Sequence, residues 1–218
     1  MLLQPLQDLL AGIYDLSMHY RVDDFLVTER AHLPAQVRDT ATDEQVVVVE
    51  AAETGDPASV GLFLDPQLLA RLAAANPIQA LHSGNVADYW TALEGVSHFI
   101  CLAWNADHDR AVSLLELETQ AEVDKYAVTV FLLAEQLGGG SYPEQVHARL
   151  FDRVSFDVRL EPDQYERYRT AHALAARYCR QLERRFVNRG VARIEAMVRE
   201  LRSFYRLRHA AKLRHALA

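Results

Sequence analysis

Cysteine, proline and glycine are all scarce in this 218-residue chain, and each scarcity excludes something. Two cysteines cannot build the disulfide framework of a small secreted domain. Both of them, Cys101 and Cys179, fall on expected apolar helix faces, where a free buried thiol in a reducing compartment is the default. Seven prolines and nine glycines are too few for a collagen-like or disordered composition. No apolar run reaches the ~20 residues that a membrane-spanning helix needs, so no membrane association is expected. The opening Met1-Leu2-Leu3-Gln4-Pro5 lacks the basic and apolar segments of a secretion signal, and the expected location is cytoplasmic.

Sequence signatures of catalysis are missing as well. There is no G-x-S-x-G, no P-loop and no Cys-x-x-Cys. Gly138-Gly139-Gly140 follow a helical pattern and do not open one, so they cannot cradle a phosphate. Ser97 and His98 are sequence neighbours and diverge on a helix, which removes a Ser/His nucleophile pair.

What remains is an ordinary globular composition, 50% hydrophobic and 24% charged, with strong helical periodicity. It suits one domain over residues 1–218, with a mixed α/β portion at 1–82 and a helical portion at 83–218. Residues 2–18 carry Leu6, Leu9, Leu10, Ile13 and Leu16 on one side of a helix. Phe25, Leu26 and Val27 suggest a short strand. Gln45 to Ala52 and Val60 to Leu64, either side of Gly55-Asp56-Pro57, predict a β-hairpin at about 45–64. Its four consecutive valines need cover from a helix or third strand. Asp65-Pro66 reads as an N-cap followed by a first-turn proline.

Residues 86–137 form the expected centre, two antiparallel helices joined by a short polar loop. The first, 86–104, has Asn85 as N-cap and is apolar on nearly all sides, with Tyr89, Leu93, Val96, Ile100 and Ala103 in one stripe. The second opens on the capping box Ser113-Leu114-Leu115-Glu116 and stops at Gly138. Pairing across the turn sets residues whose numbers sum to about 217 at one height, since both helices rise ~1.5 Å per residue. Beyond them, a helix is expected from Pro143 to Phe151 and an extended segment at Val154, Phe156, Val158 and Leu160. A long helix follows with the stripe Tyr165, Tyr168, His172, Ala175, Cys179, Leu182 and Phe186. It stops at Asn188-Arg189-Gly190 before a single last helix. The fold class is therefore α+β, mainly α: a helical bundle around a central hairpin, with a small β-hairpin packed on it.

The same register defines the candidate site. Glu94 and His98 are four apart on the first central helix, as are Glu118 and Glu122 on the second, and the two pairs share a height. Such a layer is either a satisfied polar cluster or a metal or acid–base site holding a divalent ion. Lys125 and His172 are candidates for its outer shell, with Arg177 a further neutralising charge.

Charge is the other uneven feature. From Arg184 onward there are ten basic and two acidic residues, a net of +8, whereas the preceding chain has thirteen basic and twenty-eight acidic, a net of −15. Arg199, Arg202, Arg206 and Lys212 are the candidates for contact with nucleic acid or a protein partner. The acidic body is a competing partner for them. A C-terminal helix with spare apolar residues also suits homo-oligomer formation. The leading expectation is a non-catalytic interaction or accessory module. A metal-dependent enzyme using the Glu/His layer comes second, and nucleic-acid binding through the C-terminal helix third.

Overall fold

The computed structural model describes residues 2–38, 42–49, 59–138, 145–152, 156, 160–187 and 194–217. It is an α+β fold, mainly α. In chain order the helices are α1 (Leu3–Tyr14), the single turn α2 (Ala35–Arg38), α3 (Pro66–Ala74), α4 (Val86–Asp107), α5 (Leu114–Gln136), α6 (Val146–Phe151), α7 (Pro162–Arg185), α8 (Ile194–Arg206) and α9 (His209–Leu217). The strands are β1 (Leu26–Val27), β2 (Glu44–Val49) and β3 (Ser59–Leu64), in spatial order β1-β3-β2.

Strand β3 pairs antiparallel with β2, Glu44 opposite Leu64 and Val47 opposite Gly61. The expected hairpin gains a third member, because β1 adds to β3 in parallel through Leu26 and Val27. The turn between β2 and β3 lies outside the described residues, as do most of the expected extended segment near Val154 and the expected stop at Asn188-Arg189-Gly190. Alternation sorts β3 into two faces. Leu62 and Leu64 enter the main core, while Phe63 joins Leu33 and Val47 in a small cluster on the other face.

Helix α4 provides the cover that the valine strand needs, lying against both β2 and β3. Gly95 sets how close they come: a Cβ there would lie 2.6 Å from Leu62 Cδ1 and 2.9 Å from Glu44 Cγ. Leu62 is fully buried and cannot retreat. Gly95→Ala should therefore cost about 1–3 kcal/mol by overpacking, despite the ~1 kcal/mol that alanine contributes to helix propensity. A denaturant midpoint equal to or above the parent's would contradict this close packing.

Helices α4 and α5 run antiparallel. Trp90 Nε1 donates to Thr129 Oγ1, Lys125 Nζ to Glu94 Oε2, and Ser97 Oγ to Asp124 Oδ2. Ser113 caps α5, its Oγ accepting from the Glu116 N–H at 3.2 Å. Gly138 takes the left-handed conformation after it, with φ +77°. Asp65 caps α3 through the Gln67 N–H. Asn85 does not cap α4. Its amide donates instead to the Ala75 and Ala80 carbonyls, and its oxygen accepts from the His82 N–H, so it ties down the loop before the helix.

Helix α7 packs along α5, and its buried face keeps Ala175, Cys179, Leu182 and Phe186 of the expected stripe but shifts in its first half to Ala171, Leu174 and Tyr178. Tyr165 is consequently exposed. The expected single last helix is two, broken at residues 207–208. Arg110, from the α4–α5 loop, donates to the Arg206 and Leu207 carbonyls and satisfies groups that a continuous helix would have paired internally. One buried apolar cluster joins elements from both ends of the chain, from Leu3 to Ala216.

Candidate functional site

Helix α5 buries an unusual number of polar groups for one helix: Glu116, Glu118, Thr119, Gln120, Asp124, Lys125 and Thr129. Burying a charge is costly unless it is paired, so each of these needs a partner. Thr119 and Thr129 donate to carbonyls of their own helix, and the other five divide into two clusters.

The first faces α4, β2 and α7. The i, i+4 spacing on α4 sets Glu94 and His98 on one face, and Glu118 reaches them from α5. One ligand atom from each of Glu94, His98 and Glu118 lies within 4.8 Å of the others. His98 Nε2 is 3.5 Å from Glu118 Oε2, and its Nδ1 is 3.6 Å from Glu44 Oε1. Neither approach is a hydrogen bond, and both His98 Nε2 and Glu44 Oε1 are buried without a hydrogen-bond partner among the described residues. Arg167 Nε stands 3.8 Å from the other oxygen of Glu118. Glu94, the most open of the three, keeps 27% of its side chain exposed.

Glu122 is not part of that triad. Lys125 sits between Glu94 and Glu122, and Glu122 also meets His172 Nδ1 at 3.3 Å. His172 Nε2 is 3.1 Å from the Phe151 carbonyl. Thus Lys125 and His172 are organised around Glu122, while Arg167 takes the neutralising position expected of Arg177.

The electrostatics are consistent with this arrangement. Burial lowers the pKa of His98, but the flanking Glu118 and Glu44 outweigh it and raise the imidazole to about 10 in the ion-free site. Burial alone would raise Glu122, and Lys125 with His172 brings it down to about 2. Tyr168 is lifted to about 12, first by burial and then by Glu118 and Glu94. Four carboxylates (Glu44, Glu94, Glu118, Glu122) face two permanent cations (Lys125, Arg167). With both histidines neutral, the cluster has an excess of two negative charges. Either two imidazolium ions or one divalent cation would balance it.

Glu44 was hidden because the polar run before β2 reads as loop. The available signal is alternation, which sets Glu44 on the same strand face as Val46, toward α4.

The second cluster lies on the other side of α5. Asp124, only 2% exposed, accepts hydrogen bonds from Tyr14, Ser97 and Gln120. Gln120 in turn accepts from Lys212 at 3.1 Å, and Lys212 Nζ lies 3.4 Å from Glu116. This cluster joins α1, α4, α5 and α9.

Lys212 is therefore buried and is removed from the surface-contact set. The break after α8 lets α9 turn its lysine inward. Arg202 donates to the Gly12 and Ile13 carbonyls, and Arg206 to that of Asp15, so both bind the C-terminal end of α1. Arg199 remains exposed, 3.9 Å from Glu195. Both cysteines are free and buried, and burial pushes their thiols up, Cys101 to about 12. Neither suits a nucleophile. Among the described residues no helix is long and apolar enough to cross a membrane. Compared with protein-family models, curated proteins and solved structures, the chain matches none of them.

Proposed function

We propose that the protein is a metal-dependent module that holds one divalent transition-metal ion at Glu94, His98 and Glu118. The observation that carries this reading is His98 Nε2, buried without a hydrogen-bond partner among the described residues and 3.5 Å from Glu118, in a group that Glu94 completes within 4.8 Å, with a third carboxylate, Glu44, at the opposite ring nitrogen. Metal-bound histidines characteristically present their second nitrogen to a carboxylate, which fixes the tautomer. One imidazole and two carboxylates suit zinc, manganese or ferrous iron better than calcium or magnesium. The ion would also supply the two positive charges that the cluster lacks when both histidines are neutral. Glu94, His98 and Glu118 would hold the ion with three protein ligands, and the ion would supply hydrolytic or Lewis-acid chemistry there.

Titrating metal-free protein with Co²⁺ tests the reading through visible ligand-field bands. One equivalent should bind. Glu44→Gln should weaken it ~10–100-fold, the usual cost of losing an outer partner, and His98→Gln or Glu118→Gln should weaken it more. Absence of bands, together with a melting temperature indifferent to Zn²⁺, Mn²⁺ and Fe²⁺, would overturn it and leave an ion-free cluster balanced by imidazolium.

A further inference from the structure

We infer that the groove between α6 and α7 binds the phosphate group of a small phosphate monoester. The groove is open to solvent, has a volume of about 580 Å³ and is lined by His147, Phe151 and Asp152 from the α6 side and by Arg177, Arg180 and Arg184 from α7. That volume is within the ~300–1,000 Å³ of small-molecule sites.

The arginines are three and four residues apart on α7, so they share one face. Arg177 and Arg184 are exposed, with no hydrogen-bond or ion-pair partner among the described residues. Arg180 contacts Asp152 and Glu183 at 3.7 Å each, beyond hydrogen-bond distance. Counting Glu183 with Asp152, three guanidinium groups stand against two carboxylates, a surplus of about one positive charge, and Arg177 and Arg184 are the two with no carboxylate partner among the described residues. This surplus stands on a chain whose first 183 residues carry a net −15. A phosphate monoester carries about −1.5 to −2 near neutral pH, and guanidinium pairs bind phosphate oxygens through charge-assisted hydrogen bonds.

His147 is 3% exposed. Its Nε2 is 2.8 Å from the Ala176 carbonyl, and its buried Nδ1 lacks a hydrogen-bond partner among the described residues. Held at Nε2 by that carbonyl, the ring is a fixed wall of the groove. A duplex or long single strand needs an extended cationic face, whereas here the three arginines lie on one face of α7 along a single groove. The observations therefore favour one phosphate group over nucleic acid. This inference is independent of the metal reading.

The test uses the full chain, isotope-labelled at histidine, with the His147 resonance assigned from His147→Gln. Inorganic phosphate and glycerol 3-phosphate are titrated at constant ionic strength, with chloride as the control. A saturable shift of His147 is expected with both phosphates and not with chloride. The surface double variant Arg177→Gln/Arg184→Gln should bind ~10-fold or more weakly, from loss of two charge-assisted contacts. Co-sedimentation with phosphatidic acid vesicles distinguishes the source: binding there as well assigns a lipid headgroup, and binding of the soluble phosphates alone assigns a free metabolite. Shifts that follow ionic strength, a double variant that titrates like the parent, or binding only to a short oligonucleotide would each overturn it.

Discussion

Replacing Asp124 with alanine should cost about 3 kcal/mol or more of stability. The substitution would remove the acceptor that Tyr14, Ser97 and Gln120 share, leaving the Gln120 amide only the Tyr14 hydroxyl. It also opens a cavity among α1, α4 and α5. At this chain length each kcal/mol lowers the melting temperature by roughly 2–4 °C, so calorimetry resolves the effect easily. Asp124→Asn should be far milder. Its oxygen still accepts from two donors, and the Ser97 hydroxyl can rotate to accept from the new amide.

The same pair of variants gives a pH prediction. Burial raises the Asp124 carboxyl to about 6, against partial opposition from Ser97, Tyr14 and Gln120. An acid whose folded pKa is raised contributes stability fully below its ordinary pKa near 4 and loses it as pH climbs through the folded value. Parent stability should therefore fall relative to Asp124→Asn between about pH 4 and 6. Parallel curves for the two proteins over that window would show that Asp124 titrates normally.

Lys125→Met is the second large effect. It leaves Glu94 and Glu122 as poorly compensated charges in a site where Lys125 was only 8% exposed. Breaking a buried pair from one side typically costs about 3–5 kcal/mol. Adding Glu94→Gln and Glu122→Gln should recover much of that loss, because no ionised partner then remains. If the single variant is as stable as the parent, Lys125 is not the counter-ion described here. A triple variant no better than the single would trace the loss to packing of the lysine stem.

These two clusters show what was readable in the amino-acid pattern. Helix termini with strong local chemistry, at Asp65-Pro66, Ser113 and Gly138, follow from residues acting on their own backbone. Asn85 has the right identity for a cap, yet its side chain meets better partners in the preceding loop. Spacing along α4 and α5 brings Glu94, His98 and Glu118 together, because height on a helix is a local property. Rotation is not: Glu122 turns toward Lys125 and His172 instead. Glu44 was out of reach because its place depends on how close β2 comes to α4, which the missing side chain of Gly95 decides. The basic tail misleads for a related reason. Density of charge says nothing of direction, and Arg202, Arg206 and Lys212 point back into the molecule, toward the end of α1 and the core.

Diffraction data collected across the zinc absorption edge, from crystals of protein loaded with one equivalent of Zn²⁺, test the central claim most directly. The account predicts a single strong anomalous peak about 2.0–2.2 Å from His98 Nε2 and from one oxygen each of Glu94 and Glu118. A cluster free of anomalous density, with the zinc elsewhere on the surface or absent, would contradict it.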